Sequence, residues 1–93
     1  MTKKKFASVR DAIEDSTEEA ENMKLRSELM QAVKAQLLKQ ELSQSAAAKK
    51  LGVTQPRVSD LFRGKIDLFA LDTLVAMATK VGLHIEMRIT EPA

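Results

Sequence analysis

The chain has no cysteine, no tryptophan and no tyrosine, and only three phenylalanines and one histidine among its 93 residues. Without thiols, neither a disulfide framework nor a thiolate-bound zinc site can form. One histidine and no cysteine leave no nucleophile and base pair of familiar spacing, and the carboxylates are scattered rather than clustered, so no enzyme, metal or cofactor is expected. His84 alternates with apolar residues and reads as a surface or interface side chain. No apolar run approaches the roughly 20 residues of a membrane span. Lys3 to Lys5 is not followed by the apolar stretch of a secretory signal, so a cytoplasmic protein is expected. Ninety-three residues bound the chain to one modest core, a size at which pairing with a second copy adds useful buried area. Five methionines read as core filler.

Glycine and proline are equally sparse, three and two respectively, and two of the glycines and one proline fall between Ser43 and Lys65. There they punctuate two short helices. Ser43 suits an N-cap, Ala46 to Ala48 allow a second helix to approach closely, and Gly52 can take the left-handed conformation that ends the first helix. Thr54 caps again, Pro56 falls in the first turn where a missing N–H costs nothing, and Gly64 supplies the stop. Within the second helix Val58, Leu61 and Phe62 share one face, while Gln55, Pro56, Ser59, Asp60 and Arg63 project from the other.

The charge of this stretch is as informative as its punctuation. Five bases (Lys49, Lys50, Arg57, Arg63, Lys65) face one acid (Asp60), a local charge of +4 against +2 for the whole chain. Positive potential is thus concentrated where phosphate contacts would be made. A glutamine near the N-terminus of a helix lying in the major groove can pair bidentately with adenine, and serine or aspartate can meet donors on base edges. The competing reading is a packed helical hairpin with a solvated basic face.

Leu42-Ser43-Gln44, Ala47, Leu51-Gly52-Val53, Gln55, Ser59 and Gly64 resemble the pattern of the lambda-repressor-like, or XRE, helix-turn-helix family. Gln55 to Leu61, the Gly64-Lys65 step, Phe69 and Gly82-Leu83-His84-Ile85-Glu86 look like a small subgroup of it that includes HigA-type antitoxins. The resemblance covers about residues 25–90. It implies a mainly α, lambda-repressor-like helical bundle in which Gln44 meets a phosphate and Thr54, Gln55, Pro56 and Asp60 read bases. With Arg57, Ser59, Arg63 and Lys65 these form the expected DNA-binding set. One departure is Ala70, where the subgroup usually caps its last helix with serine; that cap is weaker by about 1 kcal/mol unless Asp72 compensates.

Three regions are expected along the chain: an acidic N-terminal segment (1–21), the helix-turn-helix domain (22–82), and a C-terminal strand and tail (83–93). Six acids (Asp11, Glu14, Asp15, Glu18, Glu19, Glu21) run without an intervening base, and Phe6, Val9 and Ile13 recur at helical spacing. This segment is either a solvated tail or a partner-binding element suited to a small basic protein. From Glu19 to Gln40 there is no glycine or proline, and Met23, Leu29 or Met30, Val33, Leu37 and Leu38 predict a long first helix. Lys65 to Ala70 reads as a loop anchored by Ile66 and Phe69, and Leu71 to Val81 as a helix carrying Leu74, Val75, Ala78 and Val81 inward.

At the end, Leu83, Ile85, Met87 and Ile89 alternate with His84, Glu86, Arg88 and Thr90, which predicts a strand. Its unpaired backbone would find a partner in its own copy across a two-fold axis, making those four apolar residues a dimer interface, or else in a weak N-terminal strand or a strand added by another protein. The resemblance favours a repressor bound as a homodimer to a palindromic operator on double-stranded DNA. On that reading it is also the antitoxin of a type II pair, autoregulating its operon and neutralising a RelE- or HigB-like ribonuclease toxin. The alternative is a stand-alone, phage-like XRE regulator with no toxin partner.

Overall fold

The computed structural model describes residues 17–91. Four helices follow in order, α1 (Thr17–Lys39), α2 (Gln44–Leu51), α3 (Gln55–Phe62) and α4 (Leu71–Lys80), with a 3-10 turn at Ile66–Leu68 between the last two. The expectation of a mainly helical bundle is met. α1 packs chiefly on α4, and α2 chiefly on α3. Met30, Val33 and Leu37 of α1 meet Ala47, Ala48 and Leu51 of α2, Val58 and Leu61 of α3, Phe69, and Leu74, Met77, Ala78 and Val81 in one core. Each large side chain buried there contributes about 1.5–3 kcal/mol. Only the second half of α1 takes part: Thr17 to Leu25 is exposed throughout. Glu18 and Glu19 in its first turn and Lys39 in its last complement the helix dipole.

The same hydrogen-bonded turn ends every helix. After α2 the N–H of Gly52 donates to Lys49 and that of Val53 to Ala48, and the corresponding pairs are Gly64 to Leu61 with Lys65 to Asp60, and Gly82 to Thr79 with Leu83 to Ala78. After α1 the pair is Glu41 to Leu38 with Leu42 to Leu37. This geometry needs a left-handed residue. The chain's three glycines occupy three of the positions, and Glu41, with φ of 56°, the fourth. Side chains then lock the ends together. The Lys80 ammonium donates to the Leu51 carbonyl at 3.2 Å, while Gln36 and Gln40 both donate to the Val81 carbonyl, at 3.2 and 3.1 Å. The last helix begins at Ala70 without a side-chain cap, and Asp72 accepts from the N–H of Thr73 at 2.9 Å. One orphan donor is thereby satisfied in the way the first-turn aspartate allowed.

The structure corrects one inward assignment, that of Val75, and adds detail to three other readings. Met23 and Leu38 are exposed, because the stripe of α1 that meets α4 runs through Met30, Val33 and Leu37, and Leu38 is rotated about 100° from it. Val75 is likewise exposed, and Met77 is buried in its stead at the spacing set by Leu74, Ala78 and Val81. α1 is continuous from Thr17 to Lys39, across residues 21 and 22. Finally, residues 83–91 are unpaired in the single chain, and no strand occurs among the described residues. A ladder requires a second backbone, and none of the described residues provides one beside the segment.

The left-handed positions generate a paired prediction. Ala in place of Gly52, at φ of 72°, adds about 1–2 kcal/mol of backbone strain. Its Cβ would also come within 3.1 Å of the Lys80 ammonium and disturb the bond to Leu51. Glu41→Gly should relieve strain and stabilise by at most about 1 kcal/mol, since the extra freedom of glycine in the unfolded chain offsets part of it. Denaturant midpoints of the two variants should move in opposite directions; shifts of the same sign would show that these turns do not carry the strain assigned to them.

Candidate nucleic-acid interface

α2 and α3 are eight residues each, shorter than the roughly 12 to 15 residues at which an isolated helix becomes even marginally stable. Their ends and backs therefore decide their placement. The Ser43 hydroxyl accepts from the N–H of Ala46 at 3.1 Å, and the Thr54 hydroxyl from the N–H of Arg57 at 3.4 Å. Ala47 and Ala48 are buried and carry no side chain large enough to hold α3 away. Val53 packs from the turn onto the core. The two caps and the left-handed glycine thus form as the sequence predicts.

On α3, Val58 and Leu61 are fully buried and Phe62 is half-buried, which turns the opposite face outward. Thr54, Gln55 and Pro56 at its start are exposed, Ser59 and Asp60 one turn on are half-exposed, and Arg63 and Lys65 follow, exposed, at its end. Gln44 is exposed at the first position of α2, and Lys49 and Lys50 are exposed at its end. The arrangement presents short polar groups at the tip of a helix with cations on its flanks. Asp60, the one acid in the stretch, has the Arg63 guanidinium 3.9 Å from its carboxylate. So long and open a pair adds little stability, but it offsets a negative charge that phosphates would repel.

Arg57 behaves differently from its neighbours. Four residues before the buried Leu61, it lies on the inner side of α3, and its guanidinium sits over the ring of Phe69 with 5.0 Å to the centroid. Phe69 itself is fully buried, and the Arg26 guanidinium reaches across from α1 to donate to the carbonyls of Ile66 and Phe69 at 3.2 and 3.5 Å. Two arginines thus hold the α3 to α4 connection, one by its backbone and one through its aromatic anchor. The sequence counted Arg57 in the basic stretch and the expected DNA-binding set; the side of α3 it occupies was readable from its spacing to Leu61.

The C-terminal residues are distributed unevenly. Leu83 packs on the core, whereas Ile85, Met87 and Ile89 are 36%, 70% and 85% exposed. Ile85 and Met87 border an open groove of about 430 Å³ whose apolar walls are Leu25 and Leu29 of α1 and Leu71 and Val75 of α4. The groove was not anticipated, because Leu25 falls off the core stripe and Val75 was assigned inward. Phe6, Val9 and Ile13 lie outside the described residues. Among the described residues no group of three or more His, Cys, Asp or Glu side chains could hold a metal ion, and no helix is long and apolar enough to cross a membrane.

The stacking of Arg57 gives a stability test. Arg57→Ala should cost about 1 kcal/mol, from the lost cation to ring attraction and the lost stem packing. Arg63→Ala, removing an exposed charge from the same helix, should stay within about 0.5 kcal/mol of the parent. Equal unfolding midpoints for the two variants would sink the distinction between a positioning arginine and a surface one.

With this geometry in hand, comparison with known proteins is specific. A family model described as a helix-turn-helix domain matches residues 12–90. A solved structure described as an XRE-family transcriptional regulator is 31% identical to the chain, superposes with a TM-score of 0.73, and matches over 80% of this chain and 83% of that one. No curated protein matches. Cap placement, the exposed tip of α3 and both matches agree that the chain belongs to the XRE family of helix-turn-helix regulators.

Proposed function

We propose that the chain is a DNA-binding transcriptional repressor that reads a palindromic operator as a homodimer and also serves as an antitoxin, autoregulating its operon and neutralising a small basic toxin of RelE- or HigB-like ribonuclease type. The observation that carries the DNA part is the outer face of α3: exposed Thr54, Gln55 and Pro56 at its start, with Arg63 and Lys65 at its end. A helix entering the major groove N-terminus first would bring Gln55 to base edges, where the amide can donate to N7 of adenine and accept from its N6 amino group. Arg63, Lys65 and Gln44 would meet phosphates, fixing register without reading sequence. Arg57, turned inward over Phe69, is left out of the contact set.

The antitoxin part is supported by the acidic run from Asp11 to Glu21, by the apolar triplet Phe6, Val9 and Ile13 within and before it, and by the resemblance to HigA-type antitoxins. Negative charge steers a basic partner, and apolar side chains hold it once docked. A stand-alone regulator is the second reading. In its favour, the α3 face and the C-terminal segment lie within the family match and need no N-terminal partner site.

Two predictions separate the roles. Gln55→Ala should weaken operator binding by about 1–3 kcal/mol and relax base preference, whereas Lys65→Ala should weaken all sequences alike and lower the salt slope by about one unit. A Gln55→Ala protein with unchanged affinity and base preference would refute the groove assignment. For the toxin, deletion of residues 1–16 spares α1 and should leave thermal midpoint and DNA affinity in place. Calorimetry against the small basic protein encoded beside it should then show most of the toxin affinity gone. A midpoint lowered by many degrees with toxin binding intact would make the segment part of the fold instead, and the absence of any such neighbouring gene product would favour the stand-alone regulator.

A further inference from the structure

The homodimer proposed above leaves the register of its contact open, and the pattern of residues 83–91 is specific enough to fix it. We infer that the C-terminal segments of two copies pair antiparallel about a two-fold axis passing through Met87, with Glu86 of each copy opposite Arg88 of the other. Directly opposed residues of an antiparallel pair lie on the same face, so an alternating segment can be self-paired only about a residue, not between two. Centring on Glu86 sets glutamate against glutamate, and centring on Arg88 sets arginine against arginine; like charges directly opposed are destabilising. Centring on Ile85 brings Ile89 opposite Val81, the buried end of α4, and so leaves the most exposed apolar side chain of the segment, 85% accessible, without a strand beside it. A centre at Ile89 sets Met87 opposite the charged Glu91 and Glu86 opposite Pro92, which has no N–H to give a ladder.

About Met87 the pairs match from 84 to 90, and only the outermost, Leu83 opposite Glu91, sets an apolar side chain against a charge. Two Glu86 to Arg88 pairs form on the polar face, His84 meets Thr90, and on the apolar face Met87 meets Met87 while Ile85 meets Ile89 of the partner. Ile85 and Met87 already border the groove walled by Leu25, Leu29, Leu71 and Val75, so the partner's Ile89 would arrive at its rim and extend the apolar cover over it. The backbone of residues 83–91, which has no ladder in the single chain, would gain one.

The chain's lack of cysteine makes the register directly readable. Single cysteines are introduced at Ile85, Glu86, Met87 and Arg88 in the full chain, all four exposed. Each protein is oxidised and the rate of disulfide-linked dimer formation measured. A residue on the axis meets its copy at a Cα separation of about 4.5–5.5 Å, inside the range a disulfide spans. Residues one step away are separated from their own copies by about 8 Å and lie beyond it. Met87→Cys should therefore cross-link at least ten times faster than the other three. Fastest linkage at Ile85 or Glu86 overturns this register and leaves the strand-paired dimer standing; no linkage above that of a Ser45→Cys control overturns the paired segment itself. A charge exchange checks the same register without sulfur. Glu86→Arg and Arg88→Glu proteins should each sediment as monomers at concentrations where the parent is a dimer, and should form a mixed dimer when combined. Failure of the mixture to associate while each variant stays dimeric alone would overturn the Glu86 to Arg88 opposition.

Discussion

The placement of α3 depends on the burial of one side of a helix too short to stand alone. Eight residues provide four backbone hydrogen bonds at most within the helix, and tertiary packing must supply what nucleation costs. Val58 and Leu61 supply it from below, and Phe69, reaching back from beyond the 3-10 turn, closes the end near Arg57. Because the inner side is fixed at three points, the outer side is fixed too. The polar groups at the tip are thus held on a rigid element, the condition under which a base-reading side chain can discriminate rather than adapt. The arginine that stacks on Phe69 is part of this support.

The carbonyl clamps extend that rigidity through the bundle. Lys80 holds the end of α2, Gln36 and Gln40 hold the end of α4, and Arg26 holds the α3 to α4 connection. Each donor lies on α1 or α4 or, for Gln40, in the turn that ends α1, and each acceptor lies at a helix end or in a connection, so the two longest helices act as the frame on which the short motif is mounted. Lys80 also sits against Gly52, so the turn between α2 and α3 is coupled to α4 through a single ammonium. A change in that turn would be felt at both the frame and the reading helix.

What could be read from the sequence was what local chemistry decides. Ser43, Thr54, Gly52 and Gly64 act within four residues of themselves, and their roles as caps and stops follow from side-chain type alone. Ala70 and the compensating Asp72 belong to the same class. The face of a helix was legible where its apolar stripe was narrow, as on α3, and less so where it was broad. On α1 and α4, Met23, Leu38 and Val75 are as apolar as the residues that are buried, and only the crossing of the two helices decides between them. Glu41 gave no signal, because a left-handed glutamate is tolerated by its surroundings and not announced by its side chain. The C-terminal segment alternates with the period of a strand, yet periodicity cannot create a ladder where no second backbone among the described residues lies beside it.

The two proposed interaction surfaces have a spatial relation that follows from the frame. The groove and the exposed end of the C-terminal segment are bordered by α1, α4 and residues 84–90, and none of the α3 tip residues takes part in them. A second copy could therefore cover the apolar face without occluding the face proposed to enter DNA. The same separation carries a thermodynamic consequence. A domain of this size has little core to spare, and covering Leu25, Val75 and Ile85 would add to its stability by mass action. Operator binding by a two-fold pair would then depend on protein concentration twice, once through assembly of the pair and once through its stability. A partner competing for the C-terminal segment would weaken DNA binding without touching a single residue of α3. That is a coupling free energy between distinct sites, carried by whether the two copies remain together and requiring no change of shape within either.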